Sequence, residues 1–331
     1  MNQYQQNMDP IDAISNGYRQ AQVLFTANRL DIFSTLGEQS LSSEELAEKL
    51  KADPRAMRIL CDALVAIGVL DKSEGVYRNN QLSKVYLLPD SQQNKIGILR
   101  HGAKLYETWG RLFDVVLTGK PVACESIDPR LQGDERIFAQ AMADVGRVSA
   151  KMTAEALDLR RVKKALDVGG GPGLYAIAFA QKQPNLQVYI LDNEKTLQVA
   201  QENITRAGLE DQVHPLPGDA LQDEYGEGYD FILLSNFIHI YSSETNAGVI
   251  QKCARALAPN GRVCVKDFIL DENRVHPPGG ALFAINMLVN TEEGDCYTAE
   301  DVSKWYEQAG LVYEETIELT EQSRLVIGRK K

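Results

Sequence analysis

Two textures divide the chain. From about residue 10 to 160, apolar positions fall three and four apart, the spacing of amphipathic helices, with one short β excursion. Ser42 ahead of Glu44 and Glu45 predicts a capped helix start, and Leu46, Ala47 and Leu50 give that helix its apolar side. After a turn at Lys51-Ala52-Asp53-Pro54, a second helix runs from Arg55 to about Ile67. It carries Met57, Leu60, Leu64 and Ile67 on one face and stops at Gly68. Val69-Leu70-Asp71 and Gly75-Val76-Tyr77-Arg78 then predict a hairpin. Helix, turn, helix and wing is the order of a winged helix. Beyond it, Ile96 to Leu117 with Tyr106, Trp109 and Phe113, and Arg136 to Leu157 with Phe138, Met142 and Met152, predict long helices.

At residue 165 the period changes. Ala165 to Val168, Val188 to Leu191, Phe231 to Leu234 and Val263 to Lys266 are strand-like runs. Helical stretches Tyr175 to Gln181, Lys195 to Ala207 and Ala247 to Leu257 lie between them. That alternation predicts a parallel sheet covered on both faces. Thr316 to Leu319 and Arg324 to Gly328 are joined too closely for a crossover, so the last strand is expected to enter reversed. The expected fold class is α/β, a Rossmann-like doubly wound, mostly parallel sheet with an antiparallel last strand. An all-helical winged-helix domain, hairpin aside, precedes it. The expected divisions are 1–95, 96–160 and 161–331.

Charge narrows the partners. The 331 residues carry 35 lysines and arginines against 46 acids, a net charge of −11. Within the winged helix, Glu44 to Asp90, seven basic residues face eight acids. A phosphate-reading surface needs more positive charge than that, so packing or dimerisation is expected of this domain rather than DNA binding. No apolar run is long enough for a membrane span and no signal peptide is visible. The five cysteines are odd in number and form no C-x-x-C pair. Reduced thiols, a cytoplasmic location and no metal cluster are expected.

Candidate chemistry begins at Asp167-Val168-Gly169-Gly170-Gly171-Pro172-Gly173, where a strand turns into a helix. Glycines there let a ligand approach the backbone and the free amides of the helix start. Gly171-x-Gly173-x-x-Ala176, with Asp192 about 20 residues on, also fits the relaxed dinucleotide fingerprint. Pro172 counts against that reading, since it stiffens the position that should hug a pyrophosphate. Acids also sit at three successive strand ends, Asp167, Asp192 and Asp219, and such ends face one crevice. An acid at the second strand can hold ribose hydroxyls, one at the third an adenine amino group, and one beside the glycines a cation. Those demands match S-adenosylmethionine, which has no phosphate.

Asp167-x-Gly169-x-Gly171-x-Gly173, then Asp192, then Gly218-Asp219-Ala220 resembles the cofactor site of class I S-adenosylmethionine-dependent methyltransferases. Leu233-Leu234-Ser235-Asn236-Phe237-Ile238-His239 resembles the strand-end motif of the small-molecule O-methyltransferases, the acetylserotonin and caffeic acid group. The likeness runs along the whole chain and includes Asp267 and the stretch Met287 to Thr298 with Gly294 and Tyr297-Thr298. It implies a homodimer formed through the N-terminal domain, a small-molecule acceptor, and helices roofing the substrate. It implies His239 as general base, with Asp267 the candidate to orient it. Cofactor contacts are expected from Asp167, Gly169, Gly171 and Gly173, and from Asp192, Asn193, Asp219, Ala220 and Ser235. Substrate contacts are expected from Tyr106, Trp109, Phe138, Met142, Met287 and Asn290.

Two positions depart from the family pattern. Ile240 stands where many relatives have an aspartate, and Cys296 stands where many have a second glutamate near the base. Fewer acids leave room for a sulfur or carbon acceptor beside a hydroxyl. A nicotinamide-dependent oxidoreductase and a ligand-sensing winged-helix regulator are the remaining alternatives.

Overall fold

The computed structural model describes residues 9–91, 93–122 and 146–331 in full, and the helical backbone of 135–145. It forms two compact units, Met1–Glu107 with Glu125–Met142, and Thr108–Cys124 with Ala143–Lys331. The expected side chains Phe138 and Met142 fall outside the described residues.

The first unit opens with α1 (Pro10–Arg29) and α2 (Ile32–Leu36). Then follow β1 (Leu41–Ser42), α3 (Ser43–Leu50), α4 (Pro54–Ala66), β2 (Leu70–Ser73), β3 (Val76–Asn79) and α5 (Gln81–Tyr86). Ser42 caps α3 reciprocally: its hydroxyl accepts from the Glu45 amide at 3.2 Å, and Glu45 accepts from the Ser42 amide at 2.7 Å. Asp53 caps α4 at the Ala56 amide, 2.8 Å. Met57, Cys61 and Leu64 from α4 close a core with Ile32, Phe33, Leu36 and Leu46. The hairpin forms as expected, but the domain has more sheet than its pattern indicates. Two-residue β1 pairs Leu41 with Tyr77 and makes a third strand. Two residues are too short to show an alternation. Of the seven basic residues of this domain, Arg58 and Lys72 pair with Asp62, Arg78 with Asp71 and Lys84 with Glu38. Those pairs lower further the positive field that a phosphate backbone would meet.

The predicted helix from Ile96 to Leu117 is two helices, α6 (Ile96–Trp109) and α7 (Leu112–Thr118). The break falls at Gly110, which has low helix propensity. Next comes α8 (Glu135–Ala156).

The second unit is built on seven strands: β4 (Lys164–Val168), β5 (Gln187–Asp192), β6 (Val213–Pro217), β7 (Tyr229–Ser235), β8 (Leu257–Asp267), β9 (Leu311–Glu318) and β10 (Arg324–Lys330). Their order is β6-β5-β4-β7-β8-β10-β9. The first five run parallel, and β10 is antiparallel to both of its neighbours, as the short link predicts. Helices α9 (Leu174–Lys182), α10 (Glu194–Ala207), α11 (Ser243–Ala256), α12 (Pro278–Asn290) and α13 (Ala299–Gln308) accompany the sheet. Alternate strand residues enter two cores. Leu166, Ile232 and Val263 lie in one, and Ala165, Phe231 and Cys264 in the other. The winding reverses between β4 and β7, so a crevice is expected at their carboxyl ends. No described helix is long and apolar enough to cross a membrane.

Candidate active site

The crevice is bordered by the turn after β4 and the turn after β7. The first is the glycine loop. Gly169 has φ +65° and its amide donates to Leu191 O at 2.8 Å, which ties the loop to β5. A Cβ there would come within 2.6 Å of the Phe237 ring, so this glycine allows the two turns to approach each other. Gly171 has φ +54°, and a Cβ on it would meet nothing within 4 Å. The backbone at Gly171 therefore faces open space. Gly169→Ala combines a left-handed residue with a clash and is expected to lower unfolding free energy by about 1–3 kcal/mol, read by urea denaturation.

The acids behave differently from one another. Asp167, 1 % exposed, has no hydrogen-bond partner on either carboxylate oxygen. Burial, and then the Asp192 carboxylate, push its carboxyl up to about 8, while the Ala176 amide, outside hydrogen-bonding geometry, opposes them. Asp192 is half-buried and fastens the loop: its Oδ2 accepts from the Gly171 amide at 2.9 Å and its Oδ1 from the Asn193 amide at 2.7 Å. Asn193 caps α10 through the Thr196 amide at 3.0 Å. Asp219 is exposed and accepts from the Leu221 amide at 2.7 Å, while the Ala220 carbonyl accepts from the Tyr225 hydroxyl at 2.6 Å. Ser235, at the end of β7, is buried with an unpartnered hydroxyl.

The second turn carries the histidine. A 3₁₀ turn, Ile238–Ile240, follows β7, and His239 in it is 9 % exposed. Its Nδ1 lies 2.7 Å from Asp267 Oδ1 at the end of β8. Asp267 also accepts from the Phe268 amide at 2.8 Å and, through Oδ2, from the Ile238 amide at 3.1 Å. One carboxylate thus caps the turn and orients the ring inside it. Burial pushes the Asp267 carboxyl up, but the facing His239, Lys266 and these hydrogen bonds bring it below its ordinary value. Asn246, fully buried in α11, donates to Ile238 O at 2.8 Å and holds the turn from behind. Sequence reasoning missed it, because an asparagine on a helix reads as an ordinary polar position. The Phe283 ring meets His239 edge-on at 5.0 Å and stacks on Phe268 at 4.0 Å.

The departures from the family pattern are now physical. Cys296 is fully buried, and burial, followed by Asp267 and Asp295, pushes its thiol up to about 12. A neutral thiol adds no negative charge, so Asp267 is the carboxylate on the histidine. Ile240 is 40 % exposed and presents no acid. Of the expected substrate residues, the structure joins two, Trp109 and Asn290. Trp109 Nε1 donates to Asn286 Oδ1 at 2.9 Å, and Asn290 Nδ2 donates to the same oxygen at 3.1 Å. Met287 is buried on α12, the helix that carries Asn286 and Asn290. Asn286 was not anticipated; its signal was its place one helical turn from both Phe283 and the expected Asn290. Tyr106 belongs to the other compact unit. Among the described residues no cluster of metal-ligating side chains occurs.

A doubly wound sheet with a glycine turn, acids at three neighbouring strand ends and a carboxylate-held histidine makes an α/β fold whose crevice suits a nucleoside ligand. The O-methyltransferase domain model matches residues 122–312, and the O-methyltransferase dimerisation domain model matches residues 13–89. The chain belongs to the O-methyltransferase family. It is 27% identical to the 3-hydroxy-5-methyl-1-naphthoate 3-O-methyltransferase of Streptomyces sahachiroi, over 90% of this chain and 87% of that one. It is 29% identical to the tetracenomycin polyketide synthesis 8-O-methyl transferase TcmO of Streptomyces glaucescens, over 94% and 93%. The crystal structure of human N-acetylserotonin methyltransferase in complex with SAM superposes with a TM-score of 0.84 at 25% identity, covering 100% of this chain and 99% of that one.

Proposed function

We propose that this chain transfers the methyl group of S-adenosylmethionine to a hydroxyl of a flat small molecule, with His239 as general base. The observation that carries the reading is the 2.7 Å contact between His239 Nδ1 and Asp267 inside a turn that Phe237 packs against the glycine loop. The residues present fit the cofactor. Asp167 offers an unpartnered buried carboxylate for an ammonium, Gly171 an uncovered backbone, and Asp192 a spare lone pair on Oδ2 for a ribose hydroxyl. Asp219 and Ala220 suit the adenine end. When bound, S-adenosylmethionine supplies an electrophilic methyl group.

The chain's own part is proton management. Asp267 accepts the Nδ1 hydrogen, which leaves the Nε2 lone pair as the base. Nε2 takes the acceptor hydroxyl's proton, and Asp267 stabilises the imidazolium that forms. Phe268 and Phe283 line the approach to the ring, and with Met287 they favour an aromatic acceptor. The Asn286–Trp109–Asn290 group gives that helix face its polar recognition. The N-terminal domain makes the active species a homodimer.

The test is methyl transfer from labelled cofactor to a panel of phenols that includes a hydroxynaphthoate, beside thiols and carbon nucleophiles. Label on oxygen is expected. Label on sulfur or carbon alone would overturn the acceptor, and absence of S-adenosylhomocysteine binding by calorimetry would overturn the reading. Asp192→Ala removes both the loop anchor and the ribose acceptor. It is expected to raise the Kd for S-adenosylhomocysteine about 10–100-fold while kcat at saturating cofactor changes little.

A further inference from the structure

Lys266 acts on the proton-transfer pair only through its charge, which helps hold the Asp267 carboxyl down. It is 5 % exposed at the end of β8, the one buried lysine or arginine among the described residues. A buried ammonium normally pairs with a carboxylate, because desolvation is otherwise uncompensated. Lys266 instead donates at 2.8 Å to a neutral amide oxygen, that of Asn236, which itself is exposed and sits in the left-handed region at φ +52°. One hydrogen bond uses one of three donors. Asp267, its sequence neighbour, is held by His239.

Register places this cation. Lys266 pairs with Ser235 on β7, and Asp167 on β4 pairs with Leu233, two residues before Ser235. Side chains alternate along a strand, and Ala165, Leu233 and Cys264 share one core. Asp167, Ser235 and Lys266 therefore project from the same face of three adjacent strands. The Lys266 ammonium lies 6.0 Å from the ring of Tyr175, in the first turn of α9, and the next residue, Ala176, has the amide that acts on Asp167. An unpartnered buried carboxylate and an under-used buried ammonium thus border one helix turn, across about two strand spacings, roughly 10 Å. Between them stands the Ser235 hydroxyl, which is buried and has no partner.

We propose that Lys266 and Ser235 form the carboxylate subsite for the amino-acid end of the cofactor, opposite the ammonium site at Asp167. This rests on the S-adenosylmethionine reading above. A zwitterion with its two charges one carbon apart fits a paired anion and cation on one sheet face, and the exchange replaces a neutral amide partner by a charged one.

The test is calorimetric binding of two probes, S-adenosylhomocysteine and its decarboxylated analogue, to the full chain, to Lys266→Met and to Ser235→Ala. Lys266→Met is expected to weaken S-adenosylhomocysteine about 10–100-fold and to leave the decarboxylated analogue within about twofold. Ser235→Ala removes a hydroxyl with no partner, so it keeps its melting temperature and loses S-adenosylhomocysteine affinity by several-fold; it carries the test if Lys266→Met does not fold. Equal weakening of both probes, or of neither, would overturn the proposal and leave Lys266 as a prop for Asn236. A wild-type chain that binds neither probe would instead overturn the cofactor reading.

Discussion

Replacing His239 by glutamine is expected to lower kcat by about 10²–10⁴ while the Kd for S-adenosylhomocysteine stays within about threefold. The expectation follows from the division of labour in the crevice. The ring is held by Asp267 on β8, whereas the loop that borders the cofactor is held by Asp192 and by Leu191 O on β5. Glutamine can keep a hydrogen bond to Asp267, so the turn survives, yet it cannot take a proton. Asp267→Asn should behave differently from a plain structural lesion. It leaves the turn amide of Ile238 a partner but loses the charge opposite the imidazolium, so kcat falls while an unchanged melting temperature and cofactor Kd set the loss apart from misfolding. Single-turnover rates on an active phenol measure both variants. A rate that is unchanged in the glutamine variant would mean that the acceptor ionises without help, and would remove His239 from the chemistry.

The second large effect concerns protons and Asp167. In the folded chain its carboxyl titrates at about 8, against an ordinary value of 3.8. Between those values the native state holds a proton that the unfolded chain has released. Stability from this group is therefore greatest at low pH and is lost as pH rises toward 8. Asp167→Asn removes that dependence, and its melting temperature is expected to exceed wild type at pH 9 and to converge with it only as the pH falls to about 4. The same proton couples to the cofactor. Pairing of an ammonium with the ionised carboxylate displaces the proton, so the association constant for S-adenosylhomocysteine should rise about tenfold per pH unit from 6 to 8. Calorimetry in buffers of different ionisation enthalpy reads the released proton directly. A flat affinity over that range would take Asp167 away from the ammonium.

Much of this architecture was legible from local rules. The Ser42–Glu45 cap, the wing, the strand series and the reversed end all follow from periodicity, capping chemistry and link length, which act within a few residues. The glycine turn and the pairing of His239 with Asp267 were legible because strand ends converge in this kind of sheet. What escaped was set by packing between distant segments. Asn246 and Asn286 are polar residues on helices, and only the tertiary arrangement shows that one supports the turn from behind and the other accepts from Trp109. Lys266 closes a strand-like run in the sequence, and only the folded sheet, with β7 on one side of that strand and β10 on the other, shows its side chain to be buried. Asn193, expected beside Asp192 to touch the cofactor, also caps α10 at the Thr196 amide, a role that asparagine before Glu194 already advertised.

The reversed strand has a consequence for the order of assembly. Until Arg324–Lys330 is in place, β8 has β7 on one side and an unpaired edge on the other, with β9 lacking any ladder partner. A sheet edge of that kind is a template for wrong pairing. The strand that ends in Lys266 and Asp267 is thus completed through a contact that spans some 60 positions of sequence, whereas the glycine turn rests on a β4–β5 ladder that spans about 23. Loop closure must precede non-local pairing, and longer separations slow it. The glycine side of the crevice is accordingly expected to assemble ahead of the histidine side.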